Sequence, residues 1–229
     1  MPPGWGGTLL RGLAHSIEIA IGSYGLGLGI AFFGAYGKLY GGPVIRDLLE
    51  VYTTLVRAVP ELVLILLLYY AGTDLINRVL QAGGLGSVDI NGLLAGILTL
   101  GFVQGAYSTE VLRGAILGIP PGQIEAGRAF GMPPMLLMRR IILPAMLPFA
   151  IPGLANLWLA ATKDTALLAV VGFDELTLLT RQAAGQTKAY MTFFLAAGAL
   201  YLLLSLASNL IFARIESWAR RGMPSMGGR

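Results

Sequence analysis

Apolar residues gather into five long runs, and within each run neither a two-residue nor a 3.6-residue alternation divides a greasy face from a wet one. The runs predict five membrane-spanning helices over residues 13–36, 59–75, 92–111, 145–161 and 190–212. Each is close to the roughly 20 residues that cross a hydrocarbon core. Between the first two, Lys38 to Arg57 mixes Lys38, Arg46, Asp47, Glu50 and Arg57 with apolar positions, which predicts an amphipathic cytoplasmic or interfacial helix. Residues 73–91, with turn signals at Gly83, Gly84 and Gly86, predict an outward loop. Residues 162–189 predict a second one, with an apolar piece over Ala166–Val171. Gly25 with Gly29, and Gly101 with Gly105, are small residues four apart, a spacing that lets helices approach closely in a membrane.

One polar, helix-prone stretch interrupts this pattern: residues 120–148, PPGQIEAGRAFGMPPMLLMRRIILPAMLP. Gln123 to Phe130 read as a short helix that Gly131 ends, because glycine tolerates the backbone angles found just past a helix. Pro133 and Pro134 suit the first turn of a second helix, where a missing N–H is harmless. That helix carries Met135, Leu136, Leu137, Met138, Ile141 and Ile142 beside Arg139 and Arg140. Pro144 and Pro148 then limit or kink the helix in which they stand. The result is a helix–turn–helix bracket at a membrane face, greasy on one side and basic on the other. Periodicity alone fits an ordinary amphipathic loop equally well.

Composition narrows the class. Of 229 residues, 55% are hydrophobic and 12% charged, and the mean hydropathy is +0.72. Soluble chains carry about 25% charged residues, so a multi-pass membrane protein is the class that fits. With no cysteine and one histidine, His15, neither a disulfide framework nor a Cys or His metal cluster can form. The net charge of +4 bears on topology rather than on nucleic acid. With the bracket inside, the basic residues divide into an inner eleven, including Lys38, Arg128, Arg139 and Arg140, and an outer five, Arg11, Arg78, Lys163, Arg181 and Lys188. That asymmetry predicts the N-terminus outside and the C-terminus inside. The first run is too long and glycine-rich for a cleaved signal and reads as a span that stays.

The spacing inside the bracket is informative. Glu125-Ala126-Gly127, then Gly131, then nine residues, then Ile141-Ile142-Leu143-Pro144 resembles the EAA loop of the membrane subunits of bacterial ATP-binding-cassette importers. Gly127 stands where that family usually has a second alanine. The segment Tyr52 to Leu62, with Arg57-Ala58-Val59-Pro60-Glu61, looks most like the polar amino-acid permeases for histidine, lysine, arginine, ornithine or opines, with Ala58 in place of their usual glycine. Lys163-Asp164-Thr165-Ala166-Leu167 is similar to a segment implicated in that family's translocation path. The resemblance spans about residues 8–220. It implies an all-α, five-helix MetI-like permease of the bacterial cytoplasmic membrane. It also implies two cytoplasmic ATPase subunits that use ATP and magnesium, a second permease, similar or identical, an extracytoplasmic solute-binding protein, and lipid around the spans.

Roles for single residues are expectations at this point. Gln123, Glu125, Ala126, Gly127, Phe130 and Gly131 would couple to the ATPase, across a loop of residues 120–144. Charged groups at membrane depth usually face a cavity or each other, so Glu61, Asp164, Thr165 and Glu110 are candidates for the substrate path. A Lys163–Asp164 surface pair is the plain alternative. Arg57, Pro60 and Pro144 read as structural, with Arg57 snorkelling to the interface. Without a G-x-x-x-x-G-K-[ST] loop the chain cannot cradle ATP itself. Without H-E-x-x-H or G-x-S-x-G it lacks the residues of an intramembrane hydrolase. The reading is therefore a translocation subunit rather than an enzyme, with no cofactor of its own. The alternative is a secondary transporter or channel working without an ATPase, which would need a coupling-ion site and usually inverted repeats.

Overall fold

The structure, a computed structural model, describes residues 4–84 and 92–221. Nine α-helices in chain order make up these residues, with one π turn and one 3-10 segment: α1 Trp5–Tyr40, α2 Pro43–Ala58, α3 Glu61–Ala82, α4 Gly92–Leu117, α5 Pro121–Ala129, α6 Pro134–Leu137, the π turn Met138–Ile142, α7 Leu143–Asp164, the 3-10 segment Thr165–Val171, α8 Leu176–Thr187 and α9 Tyr190–Ala219. Five helical runs are long and apolar enough to cross a membrane: Trp5–Tyr40, Glu61–Ala82, Gly92–Leu117, Pro134–Val171 and Tyr190–Ala219. All reach beyond the apolar runs in the sequence. At 1.5 Å per residue, α1 with its 36 residues is about 54 Å long, so its polar ends stand clear of a ~30 Å hydrocarbon core. The outward stretch expected from residue 73 is helical as far as Ala82. The turn expected at Gly86 lies outside the described residues.

The centre of the bundle is the pair α1 and α4, which run side by side in the same direction. A Cβ placed on Gly22 would meet Ile97, on Gly27 Gln104, and on Gly34 Thr109, while Gly101 and Gly105 receive Leu26 and Ile30. Gly101 and Gly105 thus make the close contact their spacing predicts. Gly25 and Gly29 do not: open space surrounds both, because the face of α1 that meets α4 passes through Gly27 and Gly34 instead.

Two further expectations change. The bracket's second helix and the fourth span are one helical run from Pro134 to Val171. Pro144 does not end it, because the π turn intervenes. The Leu143 N–H donates to the Met138 carbonyl five residues back, and this wider turn relieves the clash of a proline ring with the carbonyl four residues before it. The stretch 162–189 is not a loop but the end of α7, the 3-10 segment and α8. Leu176, Ala183 and Ala184 of α8 pack with Leu9, Phe193 and Ala197. Its threonines and glutamines hide this helix from an average of hydropathy. Glu175, fully buried, caps it: its Oε2 accepts from Thr177 N and its Oε1 from Leu178 N, both at 2.7 Å. Ser16 of α1 and Tyr201 of α9 also donate to this carboxyl, at 3.5 and 3.2 Å. Burial pushes the Glu175 carboxyl up, against the lowering effect of the two N–H donors.

Candidate functional site: a polar cluster and a bracket

Glu61 is the first residue of α3, preceded by Pro60 at the cap. Asp164 is the last residue of α7, where the α-helix tightens into the 3-10 segment. Gln104 lies near the middle of α4. These three positions, remote in sequence, converge. Gln104 Nε2 donates to Asp164 Oδ2 at 3.2 Å. Glu61 lies within hydrogen-bonding reach of Asp164 and of the Tyr107 hydroxyl, with Arg57 and Lys163 close enough for their charges to be felt. Glu61, Tyr107 and Asp164 are half-buried and Gln104 is 2% exposed. Among the described residues Gln104 Oε1 has no hydrogen-bond partner, and neither has Ser108 Oγ one turn further along α4. A buried polar atom left unpaired costs about 1–3 kcal/mol. The cluster thus holds two carboxylates and a free carbonyl-type acceptor, a set of atoms suited to receiving N–H donors that carry positive charge.

Thr165, also expected here, is fully buried and donates to the Thr162 carbonyl at 2.9 Å, with Tyr201 within reach; it does not join the pair. Glu110 has a different place. Lys38 Nζ contacts Glu110 Oε1 at 2.5 Å and Glu50 Oε2 at 2.6 Å. Lys38 also donates to Thr53 Oγ1 at 2.9 Å, and Arg113 holds the other oxygen of Glu110 at 2.8 Å. Two cations and two carboxylates tie α1, α2 and α4 into one junction. Gln104, Tyr107 and Lys38 are not site candidates on sequence grounds. Their signal is present, as polar residues in apolar helices, but only contact distances separate a site from a junction.

The bracket is built as its sequence suggests. Gly131 has φ +72°. Met132 N donates to Gly127 O at 3.1 Å and Gly131 N to Arg128 O at 2.9 Å, the paired bonds of a Schellman helix ending. Gly127 is buried against α6, where an added Cβ would stand 2.5 Å from Leu137 Cδ1. The glycine therefore brings the two arms of the bracket together. Gln123, Glu125, Ala126 and Phe130 are exposed, Phe130 at 86%. A large aromatic side chain so uncovered, on a polar helix beyond the spans, is the kind of surface that partners cover.

Residues 25–221 match the family model of the binding-protein-dependent transport system inner membrane component. The chain belongs to this family. As a family member it is a multi-pass inner-membrane permease component, which sets aside the transporter or channel working alone. Among relatives, the nopaline transport system permease protein NocQ of Agrobacterium fabrum is 41% identical over 226 residues, 97% of this chain and 95% of that protein. The histidine/lysine/arginine/ornithine transport system permease protein HisQ of Escherichia coli is 39% identical over 213 residues, 93% of each chain. A solved amino acid ABC transporter with histidines contains a chain similar to this permease with a TM-score of 0.78 and 25% identity, covering 93% of this chain and 95% of that one.

Proposed function

We propose that this permease carries a cationic amino acid or opine by alternating access, with Glu61, Gln104 and Asp164 receiving the substrate. The observation that carries this reading is the buried Gln104 Oε1, unpartnered beside two carboxyls. An ammonium or guanidinium supplies both the missing donor and the missing charge. The names of the relatives, nopaline and histidine/lysine/arginine/ornithine systems, agree with that chemistry.

The driving force comes from two cytoplasmic ATPase subunits that hydrolyse ATP with magnesium and grip α5 through Gln123, Glu125, Ala126, Gly127, Phe130 and Gly131. The excess of Lys and Arg on the bracket side supports a cytoplasmic bracket, with the N-terminus outside and the C-terminus inside. A second permease, identical or similar, and an extracytoplasmic solute-binding protein complete the assembly. Closure of the ATPases drags the bracket as a unit, and α4 and α7, which flank it, re-expose the polar cluster.

Uptake by the complete complex in proteoliposomes tests the substrate. Arginine, histidine or an opine should compete with labelled arginine at least tenfold better than glutamine does; equal competition by glutamine removes the case for a cationic substrate. Glu125→Trp or Gly131→Val should leave membrane insertion intact while ATP hydrolysis continues without uptake. At Gly131 the left-handed backbone costs any L-residue roughly 1–2 kcal/mol. Normal uptake in both variants would dismiss the bracket as the coupling element.

A further inference from the structure

At the end of the bundle away from the bracket lies a cavity of about 420 Å³, lined by His15, Glu18, Tyr69, Gly92, Phe173 and Asp174 among others. Three elements run from the polar cluster to this cavity, and each carries an apolar residue four positions from its polar one. On α3 the order is Glu61, Ile65, Tyr69; on α4 it is Gln104, Leu100, then Gly92 at the cavity; on the third it is Asp164, Leu168, then Gly172 and Phe173. Four residues of α-helix rise about 6 Å, the thickness of one layer of side chains. Ile65, Leu100 and Leu168 are 0%, 1% and 1% exposed and belong to one packed cluster, closed on the cavity side by Ile19 and Phe173.

We infer that Ile65, Leu100 and Leu168 form the outer gate of a substrate route that runs through this subunit, from the 420 Å³ cavity to the polar cluster. The inference rests on the reading of Glu61, Gln104 and Asp164 as the substrate site. A dry, one-layer apolar constriction blocks a hydrated cation, because a charge there has no partner and no water. It also opens with little movement, since parting one layer joins two polar chambers. The side free to move is α3. Only 6% of its spanning window is buried within the chain, whereas Leu100 stands on α4, locked to α1 by their glycines. Leu168 sits on the 3-10 segment, whose far end is Gly172 at φ +88°.

The chain has no cysteine, so single introduced thiols report access directly. In right-side-out vesicles holding the assembled transporter at rest, a charged, membrane-impermeant thiol reagent is added outside. The thiol of Asp174→Cys, in the outer cavity, should react readily, and that of Gln104→Cys, beyond the gate, at least tenfold more slowly. Adding Leu168→Ala to Gln104→Cys should raise its labelling about tenfold, while the volume-conserving Leu168→Met keeps it protected. If Leu168→Ala does not assemble, Ile65→Val and Leu100→Val, which each remove one methylene, should raise labelling in smaller steps. Equal labelling of Asp174→Cys and Gln104→Cys, no labelling of Asp174→Cys, or indifference of Gln104→Cys to every trimmed side chain would overturn the gate. None of these readouts involves an amino acid. A protected pattern with failed competition by cations therefore sinks the substrate reading alone, and the reverse sinks the gate alone.

Discussion

Two groups of charged side chains sit on α4 within two turns of each other and differ in one respect. Around Glu110 the charges balance and bond: Lys38 and Arg113 face Glu110 and Glu50 at 2.5–2.8 Å. Around Gln104 the carboxyls of Glu61 and Asp164 meet each other and an amide whose oxygen is unpartnered. A saturated network holds helices together, and an unsaturated one waits for a ligand. Equal polarity in the sequence thus carries opposite meanings, decided by whether donors and acceptors are matched.

The largest expected effect is on the balanced side. Lys38→Met strips the cation shared by Glu110 and Glu50. The Lys38 side chain is 3% exposed, and breaking a buried pair on one side costs on the order of 3 kcal/mol. Thermal unfolding of the purified complex should drop accordingly, and Lys38→Met combined with Glu110→Gln should recover part of it. Unchanged stability with lost uptake of cations would erase the distinction between the two groups.

Next comes Asp164→Asn. Arginine uptake should fall at least tenfold, about 1.4 kcal/mol of lost transition-state stabilisation, while the unfolding temperature holds or rises because a like charge beside Glu61 has gone. A large loss of stability instead would make this cluster another junction.

The smallest effect concerns Glu175, a third buried carboxyl, whose N–H donors are matched. Because burial raises its pKa, the folded chain holds this proton more tightly than the unfolded one. Stability is therefore fullest below the ordinary carboxylate pKa and is lost as pH rises through the raised value. Glu175→Gln keeps an oxygen on the α8 cap and should flatten that slope, which unfolding at a series of pH values would measure. Glu175→Ala should cost about 1 kcal/mol more through loss of the cap.

The bracket is readable residue by residue because its cues are local. A glycine at the stop and prolines at the start act on their own backbone, and Gly131 and Pro134 stand where the sequence places them. α8 is not readable, since a short helix whose apolar residues are covered by distant partners has no hydropathy signal of its own. The continuous helix through Pro144 escapes for a related reason: a π turn just upstream is a response of the backbone, not a letter in the chain. Asp164 and Glu61 stand out as charges at membrane depth, while Gln104, uncharged, is marked only by its contacts.

By itself the sequence determined that the chain crosses a membrane, where its helices lie to within several residues, and that one polar insert stands apart from the spans. These follow from the cost of placing polar groups in lipid and from the backbone limits of glycine and proline. Only the tertiary structure decided which glycines of α1 meet α4, that Glu110 belongs to a balanced junction, and that Glu61, Gln104 and Asp164 share one cluster. Those facts depend on which side chains come within about 3 Å of one another across helices distant in the chain, the range at which hydrogen bonds and ion pairs are decided.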